Sequence, residues 1–512
     1  MEEVAIVFAI ILYFIFLITI GARVSHLVKT SEDYFIAGRN LGFLSFMVLV
    51  ISSIISGMTI IGASGLSFEV GWPSMWEPIF VTFSVAILIT VFGAKLYRIS
   101  RKFNYYTVQD YLSHRYQSPN ILRAIAGVSG VIISFIYLTG QLTAISIVLS
   151  WLLKIDHFYA LLIGTVVIII YVFLGGLYAI AYTTLFQGIA LFLGTLIVAP
   201  LIINAAGGLT YINQQLAGID PSFINMAYPQ AHPPVEEYAF LTPLFIVSFF
   251  FLLSFGLSTA PHTINNILSA RKASYFKWAP LCAFAVYIVA FYLIKLAGFS
   301  ARVLHEKGAI TVIDPDYALI QAVEYALPPL AWIIFAVIVL AAVMSTTDRL
   351  LLTIGTTYGW DIHRNLFQPD ISDKKLHALS RIIIILAGAL AFLAAINPPD
   401  LLAWLIWMAI GLMVSTFCAP LLAGLYWKRA NRLGAIWGMS VGLFTALCFG
   451  YIHQFVTPLP VHFSFFGLVA SLLVLIVVSL LTSPPPEELI EETETGFYIN
   501  ASNSSTPSRD EK

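Results

Sequence analysis

Long apolar runs recur along almost the whole chain and leave little sequence for any other kind of structure. An α-helix needs about 20 mostly apolar residues to cross the hydrocarbon core of a bilayer. About thirteen such runs can be placed in the 512 residues, of which 59% are hydrophobic and only 10% charged. A water-soluble domain does not have this composition. The sequence therefore predicts an all-α polytopic membrane protein with no room for a catalytic domain, and no enzyme activity is expected.

Charged residues and Gly- or Pro-rich breaks divide the apolar runs into separate segments. The predicted spans are 4–24, 41–66, 76–98, 120–152, 157–178, 184–206, 239–268, 274–300, 328–358, 378–397, 400–427, 434–452 and 460–482. The first run follows two acidic residues instead of a basic segment, so we interpret it as a retained span and not as a signal peptide.

The positions of Lys and Arg predict the orientation of the chain. With the N-terminus outside, 22 of the 26 basic residues fall in or beside cytoplasmic loops or the C-terminal tail, as the positive-inside rule requires. An odd number of spans then leaves the C-terminus in the cytoplasm of a multi-pass protein of the cell membrane. The acidic, Ser-rich tail over 483–512 is expected to be disordered, and its sequons at Asn500 and Asn503 to remain unglycosylated.

Two spans are interrupted by Gly, Pro and hydroxyl residues, at 52–65 and 255–262. Interrupted helices in a membrane border a cavity or another helix, because the freed backbone groups must find partners. The two spans open successive five-helix groups, 41–206 and 239–427, and an odd number of spans per group inverts the second relative to the first. Corresponding broken helices in inverted repeats indicate a transport site near the midplane, although small residues can also serve close helix packing.

The remaining segments complete the predicted organisation. An extra helix and cytoplasmic loop, residues 1–40, precede the first repeat, and an extracellular loop at 207–238 separates the repeats. Two C-terminal helices over 428–482 follow the second repeat.

The ninth span contains neighbouring hydroxyls, Ser345 and Thr346, one turn beyond the carbonyl of Ala342. Neutral oxygens of this kind suit a hard monovalent cation and bind it weakly enough to release it. The alternative is that both hydroxyls bond to carbonyls of their own helix.

Four segments of the chain resemble the sodium:solute symporter family, and the resemblance extends over nearly the whole length. The segments are Asp33-Tyr-Phe-Ile-Ala-Gly-Arg-Asn-Leu-Gly42, Thr107-Val-Gln-Asp-Tyr-Leu-Ser-His-Arg115, Leu174-Gly-Gly-Leu-Tyr-Ala-Ile-Ala-Tyr-Thr-Thr-Leu-Phe-Gln187 and Ala341-Ala-Val-Met-Ser-Thr346. The resemblance implies a leucine-transporter-type fold of five plus five helices, with one helix before and two after it.

The same resemblance implies a sodium site and a coupling residue. Sodium, as the coupling ion, would be held by backbone carbonyls of Ser52, Ile55 and Ala342 and by the hydroxyls of Ser345 and Thr346. Arg39 and Ser56 match positions linked to coupling in the proline branch, although Arg39 can equally be a cytoplasmic anchor.

One position departs from the family pattern. Thr184 stands where the family signature usually has Asp, and Tyr182 where Trp is usual. We therefore expect one sodium per solute. Within the family, stretches such as Ala205–Leu209 and Gly424–Asn431 resemble the sodium/pantothenate symporter branch, which favours pantothenate or a similar small carboxylate over the alternative, proline.

The solute is expected beside the sodium, between the two broken helices and the third core helix, because both ligands must favour one conformation. The candidate residues are Ser56, Met58, Thr59, Tyr137, Gln141, Ser258, Thr259 and His262. Gln141 offers donors and acceptors to a carboxylate or amide, or bonds a neighbouring helix. His262 either contacts solute or satisfies carbonyls freed by the break.

Two charged residues follow the hydroxyl pair. Asp348 is expected to line the inner pathway, and Arg349 to extend its side chain to the cytoplasmic surface. No nucleotide-binding loop or metal-ligand cluster occurs in the sequence, which disfavours an ATP-driven pump. The expected partners are a small solute, sodium and the bilayer, without nucleic acid, and the protein is expected to function as a monomer; a passive channel or facilitator is the alternative from another class.

Overall fold

The computed structural model describes residues 2–228, 241–397 and 402–498. Over these ranges the regular structure is helical, apart from a single parallel bridge between Leu41 and Ala270. The helices of the first half are α1 Glu2–Val24, α2 Ser31–Ile36, α3 Phe43–Ser52, α4 Ala63–Val70, α5 Trp76–Ile87, α6 Ala94–Phe103, α7 Val108–Arg115, α8 Ile121–Leu153, α9 His157–Ala206 and α10 Leu209–Ile219.

The second half continues the same architecture. Its helices are α11 Pro243–Phe250, α12 Gly256–Thr259, α13 Pro261–Ile267, α14 Tyr275–Glu306, α15 Ala318–Ala326, α16 Pro329–Thr356, α17 Asp373–Ala394, α18 Leu402–Met413, α19 Ala419–Tyr426, α20 Arg432–Phe455, α21 Phe463–Leu481 and α22 Glu487–Tyr498. The π-helical segment Thr357–Phe367 continues α16, and the π-helical turn Val414–Cys418 joins α18 to α19, so that 329–367 and 402–426 each run as one span.

The number of membrane crossings follows from these helices. In the described ranges, ten helices are long and apolar enough to cross a membrane, or eleven if the bent pair Pro243–Thr259 and Pro261–Ile267 is one span. In addition, the 50-residue α9 is kinked at Gly176, and two shorter apolar helices, Phe43–Ser52 and Thr59–Val70, follow one another. Counted in this way, the crossings number about thirteen, as predicted.

The kink in α9 depends on a glycine. Gly176 has φ 51° and ψ −146°, a backbone conformation that L side chains rarely adopt. A Cβ at this position would lie 2.6 Å from Cδ2 of Tyr34. The kink therefore divides α9 into two spans. The ring of Tyr34 packs against the backbone of Gly176, where a side chain would clash with it.

Both interrupted spans have a non-helical break near the middle. In the first, α3 ends at Ser52 and helical structure resumes at Met58. In the second, Ala260 takes an extended conformation (ψ 131°) between α12 and α13, and the two parts are bent by 50°. Pro261 at the first position of α13 fits this restart, because its fixed φ suits a helix N-terminus and it has no N–H to satisfy.

The two interrupted spans are tied together at one end. Leu41, just before α3, donates its N–H to the Ser269 carbonyl at 3.1 Å and accepts from the Arg271 N–H at 3.1 Å. The Arg101 guanidinium donates to the carbonyls of Arg39 and Ala270 at 2.9 and 2.8 Å. Backbone and side-chain hydrogen bonds thus join the start of the first span to the end of the second.

The start of the C-terminal tail differs from the sequence prediction. Where disorder is expected, α22 is helical and packs beside α6. Lys102 donates to the Glu492 carbonyl, Lys428 pairs with Glu494, and Leu489 and Thr493 are buried. These contacts bury the apolar face of a helix that is polar on its other side. The sequons at Asn500 and Asn503 lie outside the described residues.

Candidate functional site

The break in the first span frees backbone carbonyls inside the protein. The N–H groups of Ser53, Ile54 and Ile55 bond back to residues 49 and 51. The Ser56 N–H, which would bond to the Ser52 carbonyl in a continuous helix, donates instead to the Thr59 hydroxyl at 3.2 Å. Such carbonyls, buried at membrane depth, need donors or a cation.

The Thr346 hydroxyl lies within hydrogen-bonding distance of the Ser52 and Ile55 carbonyls and has one proton to donate to either of them. It lies 3.0 Å from the Ser52 oxygen and 2.7 Å from the Ile55 oxygen. The residue is fully buried on α16, which packs against α8 and α9. Three of the five oxygens predicted to hold sodium are therefore in direct contact, across the gap between α16 and the first broken span.

Ser345 is oriented towards its own helix. Its hydroxyl donates to the Ala342 carbonyl at 2.7 Å. This contact is the alternative that the sequence left open, and it also brings together the remaining two predicted oxygens. The Ser52 hydroxyl is buried and has no hydrogen-bond partner.

The chemistry of this oxygen set suits Na⁺ rather than a transition metal. It consists of carbonyls and hydroxyls, without carboxylate, thiolate or imidazole. Among the described residues, no group of three or more His, Cys, Asp or Glu side chains is placed to hold a metal ion. Neutral oxygen ligands match a hard monovalent cation that must also be released.

The predicted solute residues Ser56, Tyr137, Gln141 and His262 surround the same break. The Gln141 side-chain oxygen accepts from the Gly57 N–H at 2.8 Å, while its amide nitrogen has no partner. The Ser56 hydroxyl is buried beside the Tyr137 side chain. The rings of Tyr137 and His262 meet edge to face at 5.5 Å between centroids, and the Ser53 backbone is the nearest polar partner of the His262 ring.

Thr59 connects the break to a residue that the sequence analysis missed. Its hydroxyl lies 3.3 Å from the Tyr287 hydroxyl and 3.3 Å from the Ile54 carbonyl. Tyr287 is fully buried on α14. The available signal was a tyrosine inside an apolar span, whose hydroxyl must find a partner when buried.

Two other predicted solute residues, Ser258 and Thr259, direct their hydroxyls to their own span and not to the break in the first span. Ser258 and Thr259 donate to the Phe255 carbonyl of their own span, at 3.1 and 2.6 Å. Their hydroxyls stabilise the second broken span. The side chain of Met58 lies outside the described parts of the structure.

Arg39 lies outside this centre and forms a clamp. It is 4% exposed, pairs with Glu32 at 2.8 Å and donates to the Ser100 hydroxyl and the Tyr105 carbonyl. Burial lowers the pKa of its guanidinium, and the Glu32 carboxylate raises it. These contacts fix the segment before α3 to the end of α6, in keeping with the anchor alternative; a role in coupling stays a prediction.

Arg349 does not extend to the surface, contrary to the sequence expectation. It is 2% exposed on α16, and its Nη1 donates to Oδ1 of Asn266 on α13 at 2.5 Å. Asp348 points elsewhere, because its Oδ2 accepts from the Tyr171 hydroxyl on α9 at 3.1 Å. The sequence signal was the presence of ionisable residues inside a span, which marks functional positions by default.

Thr184, at the position that departs from the family pattern, is buried and its hydroxyl has no partner. One turn further along α9, a Cβ on Gly188 would lie 2.7 Å from the Ser52 hydroxyl. The departure is therefore close to the first broken span and replaces a carboxylate by a neutral oxygen.

Known proteins resemble this chain over most of its length. The model of the "Sodium:solute symporter family" matches residues 34–442. The chain is 28% identical over 447 residues to the sodium/pantothenate symporter of Escherichia coli (strain K12), covering 86% of this chain and 88% of the relative. It is 25% identical to the sodium/pantothenate symporter of Haemophilus influenzae, covering 92% and 96%.

A solved structure shows the same fold. A Na⁺-coupled sialic acid symporter, in a substrate-bound outward-open state, superposes with a TM-score of 0.78 at 18% identity, covering 94% of this chain and 98% of that one. The predicted all-α, leucine-transporter-type fold is thereby confirmed.

Proposed function

Because the chain belongs to the sodium:solute symporter family, we propose that it is a sodium-coupled symporter that imports pantothenate or a similar small carboxylate by alternating access. The single observation that carries this proposal is the contact of Thr346 with the Ser52 and Ile55 carbonyls. It places neutral oxygens from a continuous helix against carbonyls freed by a broken one. A cation bound between them would stabilise one arrangement of the two helices.

Coupling follows if the solute favours the same arrangement. In the proposed mechanism, Na⁺ is held by the carbonyls of residues 52, 55 and 342 and by the hydroxyls of Ser345 and Thr346. The solute binds at the next residues of the same break, between Ser56, Tyr137, Gln141 and His262. Each ligand then lowers the free energy of the state that binds the other, which is the condition for positive coupling.

The remaining parts of the proposal concern stoichiometry and orientation. A threonine at 184 supplies no carboxylate for a second cation, which supports one Na⁺ per solute. The distribution of basic residues supports an N-terminus outside and a C-terminus in the cytoplasm of the cell membrane. We further propose that the monomer is the functional unit, since one chain supplies every residue of the site.

Uptake into proteoliposomes tests the proposal. Labelled pantothenate, proline and short carboxylates are offered with an inward gradient of Na⁺, Li⁺ or H⁺ in turn. We expect accumulation of a carboxylate above equilibrium with Na⁺ and no accumulation with H⁺ alone. Accumulation of proline alone would identify the sodium/proline alternative, and equilibration that ignores every ion gradient would indicate a channel or facilitator.

A further inference from the structure

Arg349 carries a positive charge in the interior of the membrane domain. It is 2% exposed and lies one helical turn beyond Ser345 and Thr346 on α16. Within the described ranges it forms no ion pair: Asp348, its neighbour, accepts instead from Tyr171. The Asp348 carboxylate acts on this guanidinium electrostatically but does not contact it. A buried guanidinium that no carboxylate contacts directly is unfavourable, which makes Arg349 a candidate ligand-binding residue.

Only one part of this guanidinium is used. Nη1 donates to Asn266, while Nε and Nη2 have no partner. Arg115, equally buried, differs in that all three of its nitrogens donate to backbone carbonyls, of Gly424, Ala430 and Trp427. The free Nε–Nη2 edge of Arg349 is a pair of parallel N–H groups, the arrangement that binds a carboxylate with two hydrogen bonds.

The unsatisfied groups near this edge are mostly donors. Asn266 accepts from Arg349 with its oxygen and has an unpartnered amide nitrogen. His262 lies one turn earlier on α13, with one ring nitrogen near the Ser53 backbone and the other without a partner; its neutral ring supplies one donor. Beyond the Tyr137 ring, Gln141 adds another free amide nitrogen. Buried donors without acceptors call for an acceptor-rich, anionic ligand.

We propose that Arg349 binds the carboxylate of the transported solute through its Nε–Nη2 edge, with Asn266 and His262 beside it, and thereby makes the transporter specific for anionic solutes. This inference rests on the proposed function and assigns a residue for its substrate class. The carboxylate would then lie about one helical turn from the hydroxyls of Ser345 and Thr346, and its negative charge would neutralise the guanidinium.

The competing explanation is that Arg349 is structural and serves only to hold α13 against α16 through Asn266. Asn266→Asp separates the two explanations, because the substitution is nearly isosteric. If Arg349 is structural, the new carboxylate strengthens its contact, and solute binding persists. If Arg349 binds the solute, the new carboxylate occupies the guanidinium and displaces the anion.

The test uses the purified full chain and two readouts. The first is the rise in thermal unfolding midpoint with pantothenate, propionate or benzoate, each compared with its uncharged counterpart panthenol, propionamide or benzamide, in Na⁺ and in K⁺. The second is uptake of the labelled acids into proteoliposomes. Arg349→Gln, Arg349→Lys and Asn266→Asp are compared with Arg364→Gln, which removes a partly exposed arginine paired with Asp373.

We expect the wild type and Arg364→Gln to bind at least one acid in preference to its uncharged counterpart. Arg349→Gln and Asn266→Asp should weaken binding of that acid about 10-fold or more, the loss of one charge-assisted pair, and Arg349→Lys should keep part of it. All variants should still be stabilised by Na⁺.

Three results would overturn the inference: unchanged acid binding in Arg349→Gln, unchanged or tighter binding in Asn266→Asp, or no preference of the wild type for any acid. In each of these cases stabilisation by Na⁺ leaves the symporter proposal standing. If Na⁺ neither stabilises the wild type nor drives solute uptake by it, the proposed function itself is contradicted, whether or not the acids bind.

Discussion

The Thr346 hydroxyl and the Ile55 carbonyl lie 2.7 Å apart, although 291 positions separate the two residues in the chain. One belongs to a continuous helix packed on α8 and α9, the other to a segment where the helix has come apart. The contact therefore depends on the distance between these two elements. The affinity of the ion that we propose to bind there would change if that distance changed.

Removal of the two hydroxyls is expected to weaken the response to Na⁺. Thr346→Ala and Ser345→Ala should each raise the Na⁺ concentration for half-maximal uptake about 10-fold, corresponding to roughly 1.4 kcal/mol for one lost ligand. Thr347→Ala is the matched control, since its hydroxyl bonds only to Val343 of the same helix. Na⁺ activation that is the same in all three variants would exclude these oxygens as ligands.

Gln141→Glu is expected to separate ion binding from solute binding. The new side chain can still accept from the Gly57 N–H, as the Gln141 oxygen does at 2.8 Å. It replaces the free amide donor by a negative charge, which repels a carboxylate. We expect at least 10-fold weaker binding of the acid with stabilisation by Na⁺ retained, measured as shifts in thermal unfolding midpoint. If the wild type and Gln141→Glu bind the acid equally well, the solute must bind elsewhere.

The buried pair of Lys295 and Glu77 is expected to matter for folding. Their side chains are completely buried and 2.6 Å apart, and Lys295 also donates to the Ala63 carbonyl at 2.9 Å. Lys295→Met leaves the Glu77 charge without compensation, which costs about 3–5 kcal/mol. Thermal unfolding should show a large loss, partly restored by adding Glu77→Gln.

The control for this pair is on the same helix. Arg302 and Glu306 form a partly exposed pair at 3.0 Å, and Arg302→Met should cost no more than about 1 kcal/mol. Similar losses for Lys295→Met and Arg302→Met would show that the buried pair contributes no more than a surface one.

Gly176→Ala is expected to disturb the kink in α9 through contact as well as through backbone strain. Gly176 and Gly308 both have positive φ, 51° and 70°. A Cβ on Gly176 would meet Tyr34 at 2.6 Å, whereas a Cβ on Gly308 would meet nothing within 4 Å. Gly308→Ala should cost about 1 kcal/mol and Gly176→Ala clearly more, in thermal unfolding. Equal effects would mean that Tyr34 moves aside freely.

Asp316 is expected to make stability depend on pH. This residue lies between α14 and α16, outside the spans, and its Oδ2 accepts from the Leu402 N–H at 3.1 Å. Burial, with a smaller effect of Asp314, raises the pKa of its carboxyl from 3.8 to about 7. Between pH 4 and 7 the unfolded chain has already lost the proton that the folded protein retains.

The sign of the effect follows from this difference. The folded protein binds more protons than the unfolded chain in that range, so its stability falls as pH rises, by at most about 1.4 kcal/mol per pH unit for one proton. Asp316→Asn keeps an oxygen for Leu402 and should flatten the slope of stability between pH 4 and 7. A slope unchanged by the substitution would assign the pH dependence to other groups.

The sequence predicts the fold well because its strongest signals are local. Apolar runs fix the crossings, and the Gly- and Ser-rich segments at 52–65 and 255–262 coincide with the observed breaks. The helical start of the tail was missed because its stability comes from α6 and from Lys428, which no local pattern reveals.

The side-chain environment of the site was predicted less completely. Thr346 meets the carbonyls that the family resemblance implies. Ser258 and Thr259 turn towards their own span, since hydroxyls find the nearest carbonyl when no outside partner is closer. The position of Arg349 near a span end predicts that its side chain reaches the surface, and only the packing of α13 on α16 shows that it is enclosed.

The backbone pairing of Leu41 with Ser269 and Arg271 constrains how the pathway can open. Two interrupted helices that are hydrogen-bonded at one end cannot separate there without breaking those bonds. In the alternating access that we propose, a movement that keeps these bonds would shift the Ser52 and Ile55 carbonyls of the first span and the His262 turn of the second together, so that an ion and a solute bound there would move as one unit.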